Sequence, residues 1–190
     1  MKKLALTDFA KYRYPSALEL SPDSRYLTFA LKEVDREGDG YRWNLWLYDL
    51  ERRESRQITQ GDDQRKAVWE DNTHILYKTT EPDEALRARG FEEEWTVYHR
   101  LNVCTGEDRE AFRLPMSVSG LWKMDEGRYV FTGETHLDRP NLLELTGEAL
   151  EKELVRRQQT RGYKVLTELP LCENCLLYTS DAADDRISVD

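Results

Sequence analysis

The sequence predicts an all-β fold, a partial β-propeller of about three four-stranded antiparallel blades with short helical insertions. Three observations favour this fold class. A strand–turn–strand unit recurs about fifty residues apart, which is the spacing of four-stranded propeller blades. Aromatic residues make up 11% of the 190 residues, and broad side chains suit a pleated surface. Hydrophobic residues (39%) and charged residues (34%) are balanced as in a folded globular chain.

The recurring unit is a short strand, a polar turn and a second, apolar strand. In the first copy, residues 21–24 (Ser-Pro-Asp-Ser) form the turn between two apolar segments. Residues 70–73 and 124–127 occupy the same place in the second and third copies. Pro suits the second position of a type I turn, and Asp, Asn and Gly supply the remaining turn chemistry. Each turn is therefore expected to join the first two strands of a blade.

The second half of each unit supplies two more strands. Residues 44–50 are apolar on both faces, as expected for a strand in a sheet packed between neighbours, and residues 56–59 form a more polar outer strand. Residues 95–103 have the same role in the next unit. The predicted blades span roughly residues 14–60, 64–115 and 117–170, within one incomplete propeller domain, residues 1–174.

Three segments interrupt the β pattern. Residues 7–12 are predicted to form a short helix that begins at Thr7 and is stopped by Pro15. Residues 81–94 form a charged insertion, a loop or short helix at a blade edge. Residues 148–159 carry apolar side chains at helical spacing, which predicts an amphipathic helix.

Charge and hydropathy exclude two classes of partner. The net charge of −9 and the lack of a basic stripe argue against nucleic acid, because phosphate binding needs a basic face. The apolar run at the start of the chain ends at Thr7 and Asp8, too early for a signal peptide, and no stretch approaches a transmembrane length. We expect a cytoplasmic protein with no membrane partner.

The three cysteines predict no cofactor. Cys104, Cys172 and Cys175 are odd in number and form neither a disulfide nor a metal framework. One C-x-x-C pair is a weak zinc or redox signal, and two unrelated thiols are the favoured interpretation. No metal or cofactor is expected.

The C-terminal segment does not read as part of the fold. Residues 175–185 match the translation of an adapter used in transposase-based sequencing libraries. Residues 175–190 are therefore interpreted as an artefactual, unstructured tail, with the gene interrupted near Glu173. On this interpretation the chain is a fragment.

No catalytic residue is assigned. A nucleophile elbow, G-x-S-x-G, is absent, and residues 117–120 (Ser-Val-Ser-Gly) lack its first Gly and lie in a predicted strand. His74 and His99 fall on predicted strands without a recognisable Ser or Cys partner, and His136 lies in a loop. Residues 92–94, three Glu, could bind a metal or a substrate amine, but a solvated loop is the favoured interpretation.

Three passages of the sequence carry a family resemblance: residues 6–31, residues 41–47 with 56–59, and residues 163–170. They resemble the prolyl oligopeptidase family of serine peptidases, above all acylaminoacyl-peptidases and related dipeptidyl peptidases. Residues 6–31, a short helix and a Ser-Pro-Asp turn, resemble the start of these enzymes. The strand at residues 41–47 and the segment 56–59 are similar to their first blade. Residues 163–170, followed by Asn174, look like their third-blade exit, although Leu-Cys replaces the aromatic pair usual there.

The resemblance implies a seven-bladed propeller capping an α/β-hydrolase domain that carries a Ser, Asp and His triad C-terminal to the propeller. The parent would cleave short peptides, releasing acyl-amino acids or dipeptides, and the propeller would gate access to the triad. The implied partners are a short peptide substrate and the protein's own hydrolase domain, and homo-oligomer formation is left open. The alternative is a non-catalytic propeller that serves as a binding scaffold. A scaffold would end soon after its last blade, whereas a peptidase would continue into a G-x-S-x-G domain.

Overall fold

The computed structural model describes residues 6–35, 40–61, 63–125, 127–135 and 139–160. The chain divides into two compact units, Met1–Leu145 and Thr146–Asp190, and each is described by itself. The predicted third-blade exit, Cys172, Cys175 and the adapter-like tail lie outside the described residues. The interpretations of those segments therefore stay predictions.

The first unit begins with two antiparallel sheets in which strand order follows chain order. The first sheet, called the first blade, consists of β1 (Tyr14–Leu20), β2 (Tyr26–Asp35), β3 (Gly40–Asp49) and β4 (Glu54–Gln57). The second blade consists of β5 (Ala67–Trp69), β6 (His74–Pro82), β7 (Glu94–Asn102) and β8 (Asp108–Leu114).

A hairpin of β9 (Ser117–Asp125) and β10 (Arg128–Glu134) follows. The first strands of successive sheets lie next to each other, since β5 contacts both β1 and β9. Four-stranded meanders arranged with their first strands together are propeller blades. The predicted all-β, partial propeller fold is therefore confirmed. The third sheet shows two strands within the described part of the chain.

Short helices lie where the sequence predicts interruptions. A 3-10 helix spans Leu6–Lys11, and α1 (Glu84–Arg87) lies within the charged insertion. Asp83 caps α1 by accepting a hydrogen bond from the Leu86 N–H at 3.0 Å. A second 3-10 helix, Leu142–Glu144, closes the first unit. In the second unit, α2 (Gly147–Gln159) confirms the predicted amphipathic helix.

An aspartate fixes the first turn of each blade. Asp23 Oδ1 accepts hydrogen bonds from the Ser21 hydroxyl (2.6 Å) and the Arg25 N–H (3.1 Å). Asp71 Oδ1 accepts from the N–H groups of Thr73 (2.7 Å) and His74 (2.8 Å). These side chains satisfy backbone donors that the strands leave free, which is how Asp favours turns.

The turn between the third and fourth strands also repeats. Asp49 accepts from the N–H groups of residues 51 and 52, each at 3.0 Å. Asn102 accepts from residues 104 and 105 at 2.9 and 3.0 Å. Four residues after each of these side chains the backbone is left-handed, at Arg53 (φ 57°) and Gly106 (φ 78°). The first two blades therefore repeat not only their strands but also the individual hydrogen bonds of this turn.

The second blade buries both of its faces because side chains alternate along its strands. Ile75, Tyr77 and Leu101 face the first blade, where they pack with Leu45 and Leu47. The intervening side chains face the hairpin, and this second core contains Leu76, Tyr98, Val118 and Leu121. A polar link accompanies the first interface, since the Trp69 indole N–H donates to the Glu19 carbonyl at 3.1 Å.

Candidate functional site

His74 holds a turn. Its Nδ1 lies 2.9 Å from Asp71 Oδ2, and its Nε2 lies 3.2 Å from the Asn102 side-chain amide nitrogen. Burial alone would raise the pKa of Asp71, but the N–H groups of Thr73 and His74, together with the His74 ring, hold it at about 2. The contacts of His74 thus join the two turns at one end of the second blade.

His99 lies in a hydroxyl–imidazole–carboxylate series that the sequence analysis did not find. Thr79 Oγ1 lies 3.1 Å from His99 Nε2, and Asp108 Oδ1 lies 3.7 Å from His99 Nδ1. Tyr77 stacks on the His99 ring at 5.2 Å and donates to Asp108 Oδ2 at 2.5 Å. Thr79 lies inside β6, paired with Val97, rather than at the sharp strand-to-helix turn of a nucleophile elbow. These contacts account for His99 as a side chain that joins strands.

The other residues considered from sequence lie apart. Ser119 lies on β9, where its hydroxyl contacts the Thr132 hydroxyl at 2.9 Å. Cys104 is an exposed free thiol in the turn after β7. Among the described residues, no group of three His, Cys, Asp or Glu side chains could hold a metal ion, and this holds for residues 92–94. His136 lies outside the described residues.

A charged cluster joins the second blade to the hairpin. Glu70, whose side chain is 9% exposed, accepts from Arg100 Nη2 at 2.6 Å and from the Tyr129 hydroxyl at 2.5 Å. Burial acts to raise the pKa of Glu70, but the hydrogen bonds from Arg100 and Tyr129 outweigh it, and the pKa lies below its ordinary value. Burial and the Glu70 hydrogen bond raise the pKa of Tyr129 to about 12. Glu70 is therefore ionised and Tyr129 neutral at pH 7.

A cavity of about 310 Å³ lies between the second blade and the hairpin; we refer to it as the inter-blade cavity. The blade contributes two cross-strand pairs to its wall, Val68 with Leu76 and Lys78 with Tyr98. Directly opposed residues share a face of the sheet, with Cβ atoms about 5 Å apart. The remaining lining residues are Asp63, Arg65, Lys66, Ser119, Gly120 and Leu121.

The charges around this cavity are predominantly positive. Arg65 is neutralised by Asp63, with 2.7 Å between Nε and Oδ1. Lys66 lies 3.7 Å from Glu19 Oε1, with both side chains more than two-fifths exposed. Lys78 donates to the Val118 carbonyl at 2.7 Å, and no carboxylate pairs with it among the described residues. The inter-blade cavity therefore offers positive charge in a chain of net charge −9.

Tyr98 belongs to the wall of this cavity. Tyr98 is 4% exposed, and its ring stacks on Phe112 at 5.0 Å. Every fully buried side-chain nitrogen or oxygen in the described part of the chain has a hydrogen-bond partner. No hydrogen bond of the Tyr98 hydroxyl is found there, so its oxygen is not fully buried, and Tyr98 is one of the residues that line the cavity. Burial raises the pKa of Tyr98 to about 12, so the group is a neutral donor at pH 7.

This site is not predicted by the sequence. Lys78 and Tyr98 are twenty positions apart, and the sequence predicts only that Tyr98 lies in a strand, residues 95–103, packed between neighbours. The only signal was a lysine that interrupts the apolar alternation of β6, where Leu76 precedes Lys78 on the same face. Their pairing depends on the register of β6 and β7, which a single sequence does not specify.

Comparisons with known proteins relate the chain to solved structures only. No family model and no curated protein matches it. An acylaminoacyl peptidase of Pyrococcus horikoshii is similar in structure, with a TM-score of 0.56 and 12% identity over 87% of this chain. The β-propeller domain of the Trilobed protease from Pyrococcus furiosus gives a TM-score of 0.44 and 14% identity, covering 65% of this chain and 34% of that one.

The chain spans only 21% of the P. horikoshii protein. At this identity the likeness shows the fold alone. As a separate observation, no helix in the described ranges combines the length and apolar character needed to cross a bilayer.

Proposed function

We propose that this chain is the N-terminal propeller portion of a serine peptidase that cleaves short peptides, releasing acyl-amino acids or dipeptides. The observation that carries the proposal is the succession of antiparallel blades in a fold that aligns with an acylaminoacyl peptidase over 87% of the chain. The resemblance of residues 6–31 and 41–59 to that family supports it.

In this proposal the propeller contributes access control and the chemistry lies elsewhere in the parent protein. A Ser activated by His and Asp would attack the peptide carbonyl, and backbone N–H groups would stabilise the oxyanion. The blades would surround a narrow entry that admits short peptides. The first strands β1, β5 and β9, which lie side by side, would line that entry.

The alternative is a propeller that only binds a partner. The inter-blade cavity, with its positive charge and apolar wall, is compatible with a scaffold that holds an anionic ligand. The two functions differ in what the parent gene encodes after the blades. A peptidase gene continues into a hydrolase domain with G-x-S-x-G, and a scaffold gene does not.

The test is to read the source genome beyond the codon for Glu173 and to assay both proteins. The longer protein should hydrolyse acetyl-alanyl or aminoacyl-prolyl chromogenic substrates, and a serine-directed inhibitor should abolish the activity. The 190-residue chain should show no turnover. Further blades without a nucleophile elbow would favour the scaffold, and inhibitor-sensitive turnover by the chain itself would contradict the proposal.

A further inference from the structure

The wall of the inter-blade cavity pairs a cation with a neutral donor. Lys78 and Tyr98 are direct cross-strand partners, so both side chains leave the same face of the second blade. An ammonium group has three N–H donors, and one of them is used by the Val118 carbonyl at 2.7 Å. The Tyr98 hydroxyl makes no hydrogen bond among the described residues, and its oxygen is not fully buried although the residue is only 4% exposed.

The wall also has an apolar part and a charged part, the latter formed by Asp63, Arg65 and Lys66. Val68, Leu76 and Leu121 line the cavity beside the two donors. A volume of about 310 Å³ is at the small end of the range for ligand sites. A ligand that fits has a short apolar body and one anionic group that accepts two hydrogen bonds.

We propose that the inter-blade cavity binds the carboxylate of a short apolar peptide, with the Lys78 ammonium and the Tyr98 hydroxyl as its donors. A carboxylate accepts both bonds and neutralises a lysine that has no other acidic partner among the described residues. The choice of a peptide, rather than another carboxylate, rests on the proposed function. The binding of an anionic group by Lys78 and Tyr98 does not depend on the proposed function.

The experiment measures binding to the full 190-residue chain by calorimetry, so its result is independent of any hydrolysis. The probes are acetyl-alanyl-leucine, its C-terminal amide and inorganic phosphate. The acid should bind and the amide should bind at least tenfold more weakly, because a hydrogen bond to a charged group contributes about 1.5–3 kcal/mol. Equal binding of the acid and the amide, or tighter binding of phosphate, would overturn the proposal. So would the absence of any binding when the acid is present at about 10 mM.

Substitutions locate the site. Lys78→Met keeps the apolar stem and removes the charge, and it should weaken binding of the acid about tenfold or more. Tyr98→Phe keeps the stacking on Phe112 and should weaken binding about threefold or more. Lys11→Met, which removes an exposed lysine that does not line this cavity, should leave binding unchanged.

Tyr98→Phe keeps the test decisive if Lys78→Met does not fold, since the ring packing is retained. Unchanged affinity in a folded Tyr98→Phe variant, or a loss as large in Lys11→Met, would overturn the assignment. Failure of binding with an intact peptidase activity in the parent would reject this site and leave the proposed function standing.

Discussion

Arg53 and Gly106 occupy equivalent turns of the first two blades, and both have left-handed backbone. A side chain in this conformation costs on the order of 1 kcal/mol. Glycine avoids that cost, but it loses more backbone entropy on folding, which costs somewhat less. We expect Arg53→Gly to stabilise the chain by about 0.5 kcal/mol, measured by urea unfolding. Gly106→Arg should destabilise it by a similar amount, because a Cβ at Gly106 meets no atom within 4 Å and only the backbone changes. Effects of the same sign for both variants would contradict this explanation.

Asp71 gives a pH dependence with a defined sign. Its pKa falls from an ordinary value of 3.8 to about 2, so its contribution to stability is complete above about pH 4 and is lost as the pH falls through 2. Because the side chain is 56% exposed, solvent screening limits the contribution to about 1 kcal/mol. The stability difference between the wild type and Asp71→Asn should therefore shrink from pH 5 to pH 2 in denaturant titrations. A difference that stays constant over this range would exclude this role.

At the scale of the elements, Glu70 is one polar link between the second blade and the hairpin, through its contact with Tyr129. Arg100→Met leaves the Glu70 carboxylate, 9% exposed, without its cation, and removing one member of such a pair costs about 3 kcal/mol. The control is Arg113→Met, which breaks the ion pair with Glu110, in which each side chain is 42% exposed. This substitution should cost less than about 1 kcal/mol. The measurement is the free energy of unfolding of each variant. Equal losses would mean that the nearly buried Arg100–Glu70 pair contributes no more to stability than an exposed pair.

Local patterns predict the strands better than they predict the contacts between them. The Ser-Pro-Asp turn and the apolar segments 17–20 and 25–30 are local signals, and β1 and β2 form on either side of that turn. The Thr79–His99–Asp108 series and the Lys78–Tyr98 pair depend on which residues oppose each other across β6, β7 and β8. Register is decided by packing on both faces of a sheet. The sequence therefore predicts the blades but not the candidate site.

At the scale of the whole molecule, the first blade has an apolar face that points away from the second blade. Phe29 and Trp46 are stacked on this face, and Leu18 and Leu20 are 59% and 54% exposed. Exposed apolar sheet surface promotes association, so we expect concentration-dependent oligomers in size-exclusion chromatography with light scattering. Leu20→Lys should reduce them, whereas Leu50→Lys, at an exposed turn position, should not. A single monomer peak at all concentrations would contradict this expectation.

The central claim is that these blades belong to a peptidase whose propeller admits only short substrates. The most direct measurement uses the longer protein that we propose the source genome to encode. It compares hydrolysis of one cleavable sequence presented in a short peptide and in a long unfolded polypeptide, each with and without a serine-directed inhibitor. Inhibitor-sensitive cleavage of the short peptide and little or none of the long chain is expected, because the proposed entry between the first strands would exclude the long chain. Equal rates for both substrates, or no inhibitor-sensitive cleavage of either, would contradict it.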